Sequence, residues 1–264
     1  METKKISING EQLSYYDNQK GNIALLFIHG AFINKTYWEI QLSHFSENYR
    51  TLAIDLPGHG KSSFNQKVLN GQRFGKDVSE FIHRLSLKNV IIIGHSFGSD
   101  VMLETVAQNA NEIIGIIEID HMKNIGIELP KEVVNQLING LNTNFEYTCE
   151  QFAKQALLTE ETNHEIVSKL LKDYRNINPE IGIPLLEYGF SYHNRQLKLL
   201  KELKIKLHSI HVNYSPTNEE NLNKHLGDNY ELYKINGTCH YPMLENPSRL
   251  NATIEKILSV IIGV

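Results

Sequence analysis

Short, nearly continuous apolar runs alternate along the chain with segments in which apolar residues return every three or four positions. Ile23–His29 (IALLFIH), Arg50–Asp55 (RTLAID), Asn89–His95 (NVIIIGH) and Glu112–Asp120 (EIIGIIEID) are runs of the first kind, the pattern of strands covered on both faces. Between them, GQRFGKDVSEFIHRLSL places Phe74, Val78, Phe81, Ile82 and Leu85 at helical spacing. Lys35–Glu47 and Phe97–Asn109 also read as helices. At the start, KISINGEQLSYYD holds two alternating runs around Asn9-Gly10, the residue pair suited to a type I′ hairpin turn. Strands alternating with helices predict a parallel sheet with right-handed crossovers.

The alternation stops at about Lys123. From there to Leu200 the pattern is helical, with PKEVVNQLINGL, TCEQFAKQALL and TNHEIVSKLLKDYRN as three candidates. Lys206–Val212 and Tyr230–Ile235 resume the strands, and SRLNATIEKILSVII closes the chain as an amphipathic helix. The expected organisation is therefore one core, residues 1–122 and 201–264, interrupted by a helical insertion, residues 123–200. The insertion's aromatics, such as Phe145, Phe152 and Tyr188, read as core residues to which the sequence assigns no ligand.

Composition changes this picture little. Apolar residues make up 41% and charged residues 21% of 264 residues, with a net charge of −4. That balance gives no reason to expect nucleic acid as a partner. No stretch reaches the roughly 18 apolar residues of a membrane span, and the first twenty residues hold no apolar signal core. The expectation is a cytoplasmic protein with no membrane partner. Cys149 and Cys239 are far apart and form no C-x-x-C pair, so two free thiols are expected. His208 and His211, three apart on a strand, face opposite sides and cannot chelate one ion. With no P-loop and no G-x-G-x-x-G after a strand, no metal and no nucleotide cofactor is expected. The sequence leaves the oligomeric state open.

The chemistry concentrates where a strand ends. Gly94-His95-Ser96-Phe97-Gly98 is G-x-S-x-G between a buried strand and a helix, the setting of a nucleophile elbow. A serine there is pushed out at the strand's carboxyl end on a tight turn, and flanking glycines let strand and helix close up. The helix N-terminus behind it offers unpaired N–H groups to a developing oxyanion. A second strand end, FIHGAF, brings the Ala31 N–H toward the same place as the Phe97 N–H, and His29 reads as a residue fixing that loop. His240, in INGTCHYPMLENP, follows the last strand and precedes the last helix. It is placed to act as a general base toward Ser96.

HGAF, YRTLAIDLPGHGKSS, VIIIGHSFGSD and GTCHYPMLENPSRLN, in this order and spacing, resemble the α/β-hydrolase superfamily, in its esterase- and lipase-like branch. The resemblance covers nearly the whole chain. It implies a mostly parallel eight-stranded sheet with helices on both faces and a helical cap insertion. In DLPGHGKS it implies structural roles for Asp55, Gly58 and Gly60. It also implies a serine hydrolase that cleaves an ester, thioester or lactone of a small apolar substrate through an acyl-enzyme and needs no cofactor. The nucleophile is Ser96, the base His240, and the oxyanion donors Ala31 and Phe97. A small-molecule receptor of the same fold with slow hydrolysis is the alternative.

The third group of a triad is less plain. Most of the superfamily carries an acid after the seventh strand, where this chain reads VNYSPTNEENL and offers Glu219 and Glu220 in the first turn of an expected helix. Asp120, at the end of the sixth strand, is the other candidate, a position some members use. It is favoured here, with Glu118 on the same face but deeper, and His121 either exposed or lining the pocket. A protein with no working acid is the remaining reading.

Overall fold

A computed structural model describes residues 1–65, 69–108 and 111–263. The hairpin forms as expected: β1 (Lys4–Ile8) pairs antiparallel with β2 (Glu11–Asp17). Asn9 and Gly10 both take positive φ, 49° and 89°, the requirement of a type I′ turn. β3 (Ala24–Ile28), β4 (Arg50–Ile54), β5 (Val90–His95), β6 (Ile113–Ile119), β7 (Leu207–Val212) and β8 (Tyr230–Ile235) follow. They form one eight-stranded sheet in the order β1-β2-β4-β3-β5-β6-β7-β8. From β4 through β8 every pairing is parallel, and β1 and β2 form the antiparallel edge. β3 and β5 are buried along their whole length, which is why they read as continuous apolar runs rather than alternating ones.

α1 (Glu39–Phe45) follows a short 3-10 turn over Lys35–Trp38. α2 (Gly71–Arg84) and α3 (Phe97–Gln108) pack against each other. Asn109, the expected end of α3, lies outside the described residues. Between β6 and β7 come α4 (Lys131–Thr143), α5 (Phe145–Ala156), α6 (His164–Asn176), α7 (Pro179–Ser191) and α8 (His193–Glu202). The three helices expected in this region are α4, α5 and α6. Two more, α7 and α8, were not singled out from sequence. Pro179 and Pro184 hide α7: Pro179 sits in its first turn, where the missing N–H costs nothing, and Pro184 lies inside the helix. α8 packs on α3 and on α9 (Glu219–Leu226), so it returns the chain to the sheet. The short α10 (Pro242–Glu245) and the long α11 (Pro247–Ile262) complete the chain.

The sheet's topology turns at β5, which lies between β3 and β6. The carboxyl ends of these three strands therefore open on one crevice, the place where parallel sheets of this kind bind ligands.

Candidate active site

Ser96 stands at the end of β5 with φ of 52°, a left-handed conformation that costs a non-glycine residue about 1–3 kcal/mol. Its neighbours explain how the turn closes. A Cβ on Gly94 would lie 2.6 Å from the Gly98 carbonyl oxygen, and a Cβ on Gly98 would lie 2.5 Å from that of Ile28. Glycine at both positions lets α3 press against β3 and β5. Ser99 ties the turn from the helix side, its hydroxyl donating to Gly94 O at 2.9 Å. Phe97 is the first residue of α3, so its N–H has no acceptor within the helix. Ala31, Ser96 and Phe97 line the same cavity.

His29 is buried and bonded on both ring nitrogens. Nε2 accepts from Leu56 N at 3.1 Å, so Nδ1 carries the proton and donates to Gly30 O at 2.7 Å. Asp55 accepts from the Lys35 backbone N–H at 2.8 Å, the Lys35 ammonium at 2.6 Å and the Lys61 N–H at 3.0 Å. A Cβ on Gly60 would meet the Asp55 carboxylate at 2.4 Å. These residues brace the loops after β3 and β4.

His240 and Asp120 meet. The Nδ1 of His240 lies 2.7 Å from Asp120 Oδ2, and both side chains are buried. The loop that carries His240 is held from two directions. Its N–H donates to Leu157 O at 2.9 Å, and its carbonyl accepts from His95 Nε2 at 2.8 Å. The His95 ring lies 4.6 Å from the His240 ring, centroid to centroid. Burial holds the pKa of His95 well below its ordinary value, so this ring stays neutral. His240 Nε2 is buried and has no hydrogen-bond partner among the described residues.

Asp120 also takes a left-handed conformation, φ 57°. Its backbone N–H donates to Ile210 O at 2.8 Å. Its Oδ1 accepts from Val212 N at 2.7 Å and from Lys123 Nζ at 2.8 Å. Burial alone would raise the carboxyl pKa, but the hydrogen bond and charge of His240 and the Lys123 ammonium outweigh it. The value falls from 3.8 to about 2. Lys123 is itself anchored by Val212 O at 2.5 Å, Ser215 Oγ at 2.9 Å and the face of Tyr214 at 4.1 Å.

The other acidic candidates have different partners. Glu118 Oε1 lies 2.5 Å from His211 Nε2 within the core, and Oε2 accepts from His121 N. Glu219 is on the surface, paired with Lys234 at 2.6 Å, and Glu220 is exposed in the same first turn of α9. His208 faces Glu231 rather than Glu118. His121 lines the cavity.

The cavity has a volume of about 310 Å³. Of the insertion aromatics singled out from sequence, Phe152 lines it. Phe145 sits behind Phe32 with ring centroids 6.3 Å apart, and Tyr188 packs on Phe97 and Tyr192. Tyr174, Phe190 and Tyr192 line it as well.

Residues 23–165, more than half of the chain, match the family model described as the alpha/beta hydrolase fold. The chain belongs to the α/β-hydrolase family. The match takes in Ser96 and Asp120 and ends before His240. Three comparisons extend over most of the chain. A Haemophilus influenzae protein named "Putative esterase/lipase" is 28% identical over 245 residues, 89% of this chain and 83% of its own. The structure of a thermophilic esterase from Thermogutta terrifontis superposes with a TM-score of 0.83 at 18% identity, covering 99% of both chains. A bromoperoxidase from Bacillus anthracis reaches 0.84 at 18% identity, over 98% of this chain and 100% of its own. Among the described residues no helix is long and apolar enough to cross a membrane.

Several residues of this α/β hydrolase that shape the site went unnoticed in its sequence. Lys123 stands three residues after Asp120, a spacing that brings its ammonium to the carboxylate. His95, in the variable position of G-x-S-x-G, reads as filler until its ring is seen under the His240 carbonyl. Leu157, Thr159 and Thr162 support the His240 loop through the carbonyl of Leu157 and through the two threonine hydroxyls, which donate to Thr238 O at 2.9 and 2.8 Å. Nothing in the linear sequence marks them.

Proposed function

We propose that this chain is a serine hydrolase that cleaves carboxylic esters through an acyl-enzyme, with Ser96 as nucleophile, His240 as base and Asp120 as acid. The observation that carries the reading is the state of His240. One ring nitrogen is held by a buried carboxylate, and the other is buried without a partner among the described residues, at the sheet edge where Ser96 stands on a strained turn. Asp120, ionised at neutral pH, keeps the proton on Nδ1 and leaves Nε2 free to take one.

Ser96 Oγ attacks the ester carbonyl carbon while its proton passes to His240 Nε2. The carbonyl oxygen takes the negative charge and is received by the N–H groups of Ala31 and Phe97. The tetrahedral intermediate collapses, the C–O bond to the alcohol breaks, and Nε2 returns the proton to the departing oxygen. Water then attacks the acyl-enzyme, giving its proton to Nε2. Collapse releases the acid and restores the Ser96 hydroxyl. Asp120 stabilises the imidazolium at each stage.

The helical insertion acts as the cap. Its apolar side chains, among them Phe152, Leu185 and Leu186, wall the cavity over Ser96, which fits an apolar acyl or alkyl group. Relatives named as esterases support the class of reaction. The test is turnover of short-chain p-nitrophenyl esters. Steady-state release of p-nitrophenol, abolished in Ser96→Ala, is expected. Binding of such esters without turnover by the unmodified protein would favour a receptor instead.

A further inference from the structure

α3 buries two carboxylates one turn apart, and they are treated differently. Glu104 is fully matched: Arg195 donates to both of its oxygens at 2.9 and 2.8 Å, and the Tyr192 hydroxyl adds a third bond at 3.0 Å. Asp100 is equally buried, with a side chain 4% exposed, but its partners crowd one oxygen. Gln196 Nε2 reaches Oδ1 at 2.8 Å and His121 Nε2 reaches the same atom at 2.9 Å. Among the described residues, none donates a hydrogen bond to Oδ2. It is also not among the sealed, unpartnered polar atoms, so it keeps open surface, and Asp100 lines the cavity that holds Ser96.

A carboxylate oxygen in an apolar cavity is costly unless a donor meets it. Position in the first turn of α3 favours the charge but supplies no donor to Oδ2. Ser96 and Asp100 are four residues apart in sequence and line the same cavity. We propose that Asp100 Oδ2 is a substrate-reading acceptor, and that the enzyme prefers esters bearing a neutral N–H or O–H donor three or four bonds from the scissile carbonyl over plain alkyl esters. The donor is neutral because His121 already faces Asp100. Burial works against a charge on His121, but Asp100, Glu118 and Asp120 together raise its pKa above the ordinary value. His121 Nε2 already lies 2.9 Å from Asp100 Oδ1, so a substrate ammonium would have to stand beside that ring, while a substrate carboxylate would meet Asp100 directly.

This inference rests on the serine-hydrolase reading and is tested with isosteric pairs that differ by one donor. In the acyl series, p-nitrophenyl 3-acetamidopropanoate is compared with p-nitrophenyl 5-oxohexanoate, where CH2 replaces N–H. In the alcohol series, 2-acetamidoethyl butyrate is compared with 4-oxopentyl butyrate. The expected result is at least a ten-fold higher kcat/KM for the N–H member of one series, falling to a ratio near one in Asp100→Ala. Ratios near one in both series of the unmodified protein would overturn the proposal and leave Oδ2 facing water only. A preference that survives Asp100→Ala would overturn it as well. The wild-type ratios decide the matter if that variant fails to fold. Absence of turnover on all four esters, with Ser96 inert to an acylating probe, would instead remove the hydrolase reading itself.

Discussion

The two sides of the candidate site are built by different means. On the sheet side, Ser96, Asp120 and the loop bearing His240 are fixed by backbone hydrogen bonds and by left-handed turns that the ends of β5 and β6 impose. On the insertion side, Tyr174, Phe152, Leu185 and Phe190 contribute mainly apolar surface. The first side specifies atoms; the second specifies volume. The division is not complete, because Leu157, Thr159 and Thr162 of the insertion hold the His240 loop.

Exchanges on the sheet side should be costly and indifferent to substrate. Asp120→Asn keeps the shape but loses the charge that fixes the His240 tautomer, and the expected loss is about 10⁴ in kcat, the scale of that exchange in a serine protease triad. Glu219→Gln and Glu220→Gln, on the surface, should leave kcat within two-fold. Steady-state kinetics of the three variants on one short ester checks this. A collapse in either glutamine variant would move the acid to the segment after β7.

Lys123→Met removes one partner of a buried pair and leaves Asp120 with Val212 N–H and His240. Breaking such a pair costs about 3–5 kcal/mol of stability, to be read from urea unfolding at pH 7. A loss below about 1 kcal/mol would show that Val212 N–H and His240 suffice.

Three buried histidines and Asp120 should weaken the protein in acid in two stages, opposed by the raised pKa of His121 and Asp77, which adds stability as pH falls. Burial lowers the pKa of His29 and His95, and brings His59 down to about 3. The unfolded chain therefore takes up protons first, and stability falls as pH drops below about 6.5. The depressed pKa of Asp120, about 2 against 3.8, adds stability that is complete above about pH 4 and is lost toward pH 2. Between pH 6 and 4, His59→Gln should reduce the slope of unfolding free energy by about 1.4 kcal/mol per pH unit. An unchanged slope would mean that His59 is protonated in the folded state.

The core was legible in the sequence because its signals are local and repeated. Continuous apolar runs give β3 to β6, Asn9-Gly10 gives the hairpin, and Gly94 to Gly98 gives the elbow. Asp120 could be favoured from its place at the end of β6, since strand ends in a parallel sheet converge. The insertion was less legible for a physical reason. Its helices bury short, irregular apolar stripes against one another and against a cavity, so neither period nor turn chemistry tells Phe152, which lines the cavity, from Phe145, which sits behind Phe32. α7 was hidden by its two prolines. Contacts such as His95 to the His240 carbonyl join residues 145 positions apart, and no feature of a single sequence encodes that pairing.

Exchanges on the insertion side should be mild and selective. Phe152→Ala enlarges the cavity, and the optimum acyl chain of p-nitrophenyl esters should lengthen by about two carbons, with kcat on the best substrate changed only a few-fold. A flat chain-length profile in this variant would place selection on the sheet side instead.

The central claim is that Ser96 is the nucleophile, and intact-mass analysis after treatment with a fluorophosphonate probe tests it most directly. The account predicts a single adduct on the unmodified protein, mapped by peptide sequencing to Ser96, and none on a folded Ser96→Ala variant. An equal adduct on Ser96→Ala, or an adduct mapped to another residue, would contradict it.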